Sequence, residues 1–338
     1  MNNNVIIKKV SLRNFRSHES YQLDCNKETT LILGENGCGK TSVLEAIYIA
    51  LYGKSFRATD RDILKREMDF YRIELDYING GKTVVTYDGD SGKKMFLIQD
   101  KKSARLPKKH RYPVILFLPE DLHLIATSPT KRRDYCDRVI SQLNEKYSNA
   151  LSRYNKALKQ RNELLKQENI TQDMLFSWDI MLAKYGVEIR KCRADLVDNI
   201  NQEITKTYHS IAKNNDKINL KYQSNTGSVE ESEYLRLLAM DADRDIYTGH
   251  TNFGIHKDDY EFIFNGNSAN GSASRGEVRS IILALKFIEA RNIYRVLGKK
   301  PVVLLDDVFS ELDKTRQKSL VDNFKDHQVI LTSVEGVD

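Results

Sequence analysis

The residues best equipped for chemistry lie at 34–41, Gly34-Glu35-Asn36-Gly37-Cys38-Gly39-Lys40-Thr41, and fit the phosphate-loop pattern G-x-x-x-x-G-K-[ST]. In such a loop the glycines let backbone N–H groups turn inward around phosphate oxygens, and the helix that follows adds its positive dipole end. Lys40 is then expected to reach the β- and γ-phosphates, and the Thr41 hydroxyl to ligate magnesium. A second feature complements it: Val302-Val303-Leu304-Leu305-Asp306-Asp307, an apolar run that ends in two carboxylates. A fully apolar strand suits the middle of a parallel sheet, and an acid at its C-terminal end reaches the mouth where phosphates and metal lie. Asp306 is expected on the magnesium. Asp307, one residue on, is expected to orient or deprotonate the attacking water, which makes it and Lys40 the catalytic candidates.

For this chemistry the loop must sit between a strand and a helix. Residues 29–33 are rich in β-branched side chains and run into the glycines, and apolar Val43, Leu44, Ile47 and Leu51 recur at helical spacing over residues 42–51. Further strands are expected at residues 5–12, 71–77, 83–87, 114–118, 260–264 and 328–331, with Asn79-Gly80-Gly81 as a hairpin turn. Helices are expected at 278–296 and 314–324. Strands alternating with helices at both ends of the chain predict a mainly parallel sheet assembled from the two termini. Between them, residues 134–213 hold no proline, and their apolar residues fall on helical faces. Ala150, Ala157 and Leu164 form one seven-residue column, Leu151, Leu158 and Leu165 the next, with Tyr147 and Tyr154 beside them. After a polar break at 167–173, a second helix is marked from Leu182 to Ile204, and the two are expected to fold back as an antiparallel hairpin. The 260 residues between Thr41 and Val302 are far more than a compact GTPase places there, and point to an ATPase with an inserted lobe.

Composition agrees without deciding. The 338 residues carry 30% charged side chains and a formal net charge of +6, which permits a polyanionic partner. Cys25, Cys38, Cys136 and Cys192 lie far apart, with neither zinc spacing nor the density of a disulfide framework, and no uncharged apolar run reaches the ~18 residues of a membrane span. A cytoplasmic protein without a membrane partner is expected.

Together these residues resemble the RecF family of bacterial recombination-repair ATPases, from about residue 5 to 337. Leu12-Arg13-Asn14-Phe15-Arg16-Ser17 is similar to the opening of RecF and SMC-type heads, where a basic residue, here Arg13, lies near the nucleotide. Phe117-Leu118-Pro119-Glu120-Asp121-Leu122 and the following Ser128-Pro129-Thr130-Lys131-Arg132-Arg133 are the most family-specific stretches. Ser274-Arg275-Gly276-Glu277 falls where the family's ABC-type signature sits, and Ser310-Glu311-Leu312-Asp313 resembles the D-loop. The resemblance implies an α/β fold, an ABC/SMC-type P-loop ATPase head with an inserted helical lobe. Residues 1–130 would form the N-terminal part of the head, 131–213 the helical hairpin, and 214–338 the C-terminal part with signature, Walker B and D-loop. It implies ATP and Mg2+ as cofactors, slow DNA-stimulated hydrolysis, and a homodimer closed by ATP when the signature of one copy meets the phosphate loop of another. It also implies recognition of gapped or double-stranded DNA, a place in the SOS response, and help in loading RecA with RecO and RecR. Two positions depart from the pattern. The family's glutamine is Glu277 here, and its Gly-Pro-His-Arg-Asp-Asp reads Gly254-Ile255-His256-Lys257-Asp258-Asp259. A carboxylate near the γ-phosphate would repel it unless Arg275 or magnesium offsets the charge. Thr332-Ser333 follows the last expected strand, with no histidine at the transporter switch position, so hydrolysis is expected to rest on Asp307.

Two basic segments are candidates for DNA: Lys101, Lys102, Arg105, Lys108, Lys109 and Arg111, and Lys131, Arg132 and Arg133. No base-reading motif accompanies them, so contact is expected with backbone and shape. A solvated basic loop accounts for the first segment equally well, and a structural role at a helix start for the second. A membrane-transporter subunit and a mainly structural DNA clamp are the rival readings. The long helical hairpin counts against the first, and the second differs only in how much hydrolysis matters.

Overall fold

The computed structural model describes residues 5–224 and 230–334, so the family pattern, traced to residue 337, ends just outside the described residues. The chain divides into two compact units, one of residues 1–121 and 289–338, the other of 122–288.

In the first unit the central helix Lys40–Tyr52 is buried at every position except Thr41. Beyond its first turn it is apolar on every side except at Glu45, because a sheet covers it on each side. One sheet has four parallel strands in the order Thr29–Leu33, Val329–Ser333, Val302–Leu305, Val114–Phe117, so strands from both ends of the chain do build it. Val302–Leu305 is buried throughout, as a central parallel strand must be. The other sheet is antiparallel, with six strands in the order His18–Asp24, Ile7–Phe15, Phe70–Tyr77, Lys82–Asp88, Lys93–Ile98, Lys101–Ser103. A bulge between Ile7 and Lys9 resets the alternation, so that Ile7 and Val10, three positions apart, are both buried. The Gln328 side chain ties the termini together: its amide nitrogen donates to Ile7 O and Asn26 O at 2.7 and 2.8 Å, and its oxygen accepts from Ile7 N at 2.8 Å.

The second unit is built on helices Pro129–Leu143, Glu145–Leu164 and Gln172–Ala212. The last two run antiparallel, as shown by the pairs Tyr147–Arg193, Arg153–Tyr185 and Arg161–Asp179, whose numbers rise on one helix as they fall on the other. The buried face is Tyr147, Ala150, Tyr154, Ala157 and Arg161, while Leu151, Leu158 and Leu164 are only half-buried. A small antiparallel sheet of Ile218–Gln223, Asp259–Phe264 and Asn267–Ser268 lies in the same unit, with helices Glu231–Met240 and Ala242–Thr248. This unit is therefore wider than the 131–213 expected for the insertion. Residues 214–288 join the hairpin because Asn201 and Thr205 bond the strand Ile218–Gln223, and because Arg190 and Arg193 reach Asp258 and Ile255 O. Among the described residues no helix is long and apolar enough to cross a membrane.

Candidate nucleotide site

Six residues join the strand Thr29–Leu33 to the helix Lys40–Tyr52. Gly37 and Gly39 turn the chain with φ of 84° and 100°, a region that side chains disfavour. Gly39 is needed twice over: a Cβ there would lie 2.4 Å from His18 Nε2 and 2.7 Å from Ser17 Oγ. Lys40 is buried and folds back along the loop, donating to Gly34 O at 2.7 Å and Glu35 O at 3.1 Å, with the Asp307 carboxylate 3.9 Å away.

The acid pair meets the loop across the sheet. Thr41 Oγ1 donates to Asp306 Oδ1 at 2.8 Å, and Thr332 Oγ1 donates to the same oxygen at 2.9 Å. Burial pushes the Asp306 carboxyl up. The two hydroxyls pull the other way, the charge of Asp307 adds to the rise, and the net shift is upward. Asp307 stands on left-handed backbone, φ 49°, its N–H held by Thr332 Oγ1 at 2.9 Å. Its Oδ1 is buried with no hydrogen-bond partner among the described residues. A strained non-glycine residue with an unsatisfied carboxylate oxygen is the kind of feature that functional sites retain.

Lys40, Thr41 and Asp307 line a cavity of about 570 Å³, within the usual size of small-molecule sites, and Asp306 stands behind Thr41. Its walls carry Lys40, Arg16, Arg57, Lys65 and Arg66 against Asp62 and Asp307, an excess of positive charge suited to phosphates. Arg16 and Arg57 are aimed by Glu45, which is wholly buried in the central helix: Arg16 Nε and a terminal nitrogen donate to its two oxygens at 3.0 Å, and Arg57 Nε and a terminal nitrogen to one of them at 3.1 and 2.9 Å. Burial acts to raise the Glu45 carboxyl, but the bonds from Arg16, Arg57 and Ser55 outweigh it and leave it below its ordinary value.

Comparison with known proteins gives this arrangement its family. Residues 6–259 match the AAA ATPase domain family. The chain is 34% identical to the DNA replication and repair protein RecF of Clostridioides difficile, over 97% of this chain and 91% of that protein. It is 32% identical to the RecF of Clostridium perfringens strain SM101, over 96% and 92%. The chain belongs to the RecF family. A solved structure of the recombination mediator protein RecF with ATP superposes with a TM-score of 0.88 at 28% identity, covering 100% of this chain and 94% of that one. An SMC head bound to the C-terminal winged-helix domain of ScpA superposes at 0.54 with 16% identity and shows the shared fold alone. The chain is thus an ATPase with an ABC/SMC-type head.

Within this RecF-family chain several expected site residues fall elsewhere. Arg13 is exposed, its guanidinium 5.7 Å from the Phe70 ring centre, and it does not line the cavity. The reason is the left-handed turn at Asn14 and Arg16, φ 53° and 56°, which ends the strand and brings Arg16 to the wall instead. Arg57, Lys65 and Arg66 carried no motif. Of the basic segments, Arg132 is committed to Asp259 through two bonds of 2.8 and 2.7 Å, and Arg133 donates to Asp258 O at 2.8 Å and to Thr130 Oγ1 at 3.0 Å. Both guanidinium groups hold the second unit together, in keeping with the structural role at a helix start that the sequence left open beside DNA contact. Lys131 is exposed, as are Lys101, Lys102, Arg105, Lys108 and Lys109, while Arg111 is half-buried over the Tyr52 ring.

At the signature, Ser274 and Glu277 form a reciprocal cap on the helix Arg275–Leu297. Glu277 accepts from Ser274 N at 2.6 Å, and Ser274 Oγ accepts from Glu277 N at 3.3 Å. Glutamine makes the same cap, so the departure at 277 leaves the helix start intact. Arg275 is exposed and Gly276 half-buried. The segment 254–259 packs inside the second unit. Asp258 is wholly buried and accepts from Arg190 at 3.1 and 3.0 Å and from Tyr222 at 2.5 Å.

Proposed function

We propose that the chain binds ATP with magnesium in the cavity and uses the bound nucleotide to close a homodimer on gapped or duplex DNA during replication and recombinational repair. The observation that carries this reading is the meeting of Lys40, Thr41, Asp306 and Asp307, with Thr41 and Asp306 in hydrogen-bond contact although 265 positions apart. Thr41 and Asp306 supply the oxygen donors that a small hard dication takes, and among the described residues no salt bridge offsets the buried Asp306 charge. Magnesium, when bound, neutralises phosphate charge. Backbone N–H groups of residues 34–39 cradle the phosphates, Lys40 exchanges its carbonyl partners for phosphate oxygens, and Asp307 orients the attacking water. Arg16 and Arg57 face the same cavity and add positive charge.

In the closed dimer, Ser274, Arg275 and Gly276 of one copy lie over the γ-phosphate held by the other. Exposed Arg275 is the residue free to offset the Glu277 carboxylate there. DNA is held through Lys101, Lys102, Arg105 and Lys109, with Lys131 separately, by phosphate contact that weakens with salt and ignores sequence. In this reading RecO, RecR and RecA are the partners for recombinase loading, supported by the RecF–ATP neighbour, which is described as a recombination mediator in the RecFOR pathway.

The test is binding to gapped, blunt-duplex and single-stranded DNA with ATP, ADP or no nucleotide at fixed salt, with the mass in solution followed in parallel. An ATP-specific dimer that retains gapped or duplex DNA is expected. If ATP changes neither mass nor DNA affinity, the closing mechanism fails. DNA retention that survives Asp307→Asn would favour a clamp in which hydrolysis is incidental.

A further inference from the structure

Thr332 lies in the strand Val329–Ser333, between the phosphate-loop strand and the strand that leads to the acids, and is wholly buried. A threonine hydroxyl has one proton to give and lone pairs to receive. Here the proton goes to Asp306 Oδ1 at 2.9 Å, and a lone pair takes the Asp307 backbone N–H at 2.9 Å. Thr41 delivers its own proton to the same Asp306 oxygen at 2.8 Å, and among the described residues no hydrogen bond engages Asp306 Oδ2. Two hydroxyls thus fix one oxygen of the carboxylate, while the other carries no such restraint. Asp307 adopts φ 49°, a conformation that a side-chain-bearing residue keeps only where its surroundings hold it. The bond from its N–H to Thr332 is a direct restraint on that turn.

We infer that Thr332 is a positioning residue for ATP hydrolysis: one buried hydroxyl locks the Asp306 carboxylate and the Asp307 main chain together, so that both acids meet the nucleotide in a fixed relation. This rests on the roles given above to Asp306 and Asp307. Valine at this place fills nearly the same volume and offers neither bond, whereas serine keeps the hydroxyl and drops only the methyl.

The experiment compares the parent with Thr332→Val, Thr332→Ser and Asp307→Asn, measuring steady-state hydrolysis, binding of a fluorescent ATP analogue with and without magnesium, and unfolding temperature. Thr332→Val should lower kcat by about 10- to 100-fold, the usual effect of removing a partner that orients a ligand. Its metal-free analogue affinity should stay within about threefold of the parent, since the loss lies in the chemical step. Thr332→Ser should recover most of the rate. Parental kcat in Thr332→Val overturns the inference, and so does a serine variant as slow as the valine one, because packing of the methyl would then be responsible. Should Thr332→Val not fold, Thr332→Cys, a weaker donor of similar size, replaces it with the same expectations. Asp307→Asn separates the two levels. If it hydrolyses at the parental rate, the catalytic reading falls and the inference with it; if it is inactive while Thr332→Val hydrolyses at the parental rate, the inference alone falls.

Discussion

The molecule contains two Asp-Asp pairs, and their surroundings are opposite. Asp258 and Asp259 are saturated: Arg190 takes both oxygens of the first, Arg132 both oxygens of the second, and Tyr222 adds a further bond to Asp258. Asp306 and Asp307 are under-satisfied, the first held by hydroxyls alone, the second with an unbonded buried oxygen on strained backbone and a lysine 3.9 Å off. Taking a carboxylate out of water is costly unless its charge is met. Arginines meet it permanently in one pair, and the fold gains a cross-link. In the other pair the demand stays open, and a ligand can fill it.

Breaking each pair should therefore damage different properties. The largest effect is expected from Asp307→Asn, which should lower phosphate release by about 10²- to 10⁴-fold while leaving the unfolding temperature at or above that of the parent. Arg190→Met leaves Asp258 buried beside Tyr222 and the more distant Arg193, and should cost about 3–5 kcal/mol in urea unfolding. A smaller effect comes from His256, which sits beside the saturated pair. Its Nε2 donates to Thr251 O at 3.0 Å and its Nδ1 accepts from Tyr154 OH at 3.0 Å, which is the neutral ring. Burial, only partly countered by the Thr251 bond, lowers its pKa from 6.5 to about 4. Below pH 6.5 the unfolded chain takes up a proton that the folded one refuses, so stability should be lost as pH falls from 6.5 to about 4. The total is at most about 3 kcal/mol, and His256→Gln should flatten the acid limb of a stability profile. The smallest effect is expected from Glu277→Gln, with less than about 0.5 kcal/mol in thermal unfolding because the cap survives.

The same contrast explains what could be read in the sequence. The strands Thr29–Leu33 and Val302–Leu305 and the helix Lys314–Phe324 fall at their expected positions, since a phosphate loop and a buried parallel strand leave little freedom in residue type. The antiparallel sheet was legible only in part. His18–Asp24 is polar and largely exposed, and in Lys93–Ile98 two lysines run into four consecutive apolar residues, so neither gives a clear alternation. Charge was the least legible property. Arg132 and Arg133 look like a surface cluster until Asp258 and Asp259 arrive, and Arg161, fully buried between Asp179 and Asp245, sits on a helix face that otherwise reads as apolar. Partners separated by 68 and 127 positions leave no mark on local spacing.

The order of strands in the parallel sheet also governs when the nucleotide site can exist during synthesis. Val329–Ser333 lies between the phosphate-loop strand and the strand bearing the acids, and its Thr332 touches both of them. The ribosome makes the phosphate loop early and this spacer strand about 300 residues later, a delay of roughly 15–60 s at ~5–20 residues per second. Throughout that interval the nascent chain carries the glycine loop and Lys40 without the strand that seats them. ATP therefore meets no complete site on the nascent chain until the strand Val329–Ser333 has left the exit tunnel, and any help the nucleotide gives to assembly of the first unit comes after that point.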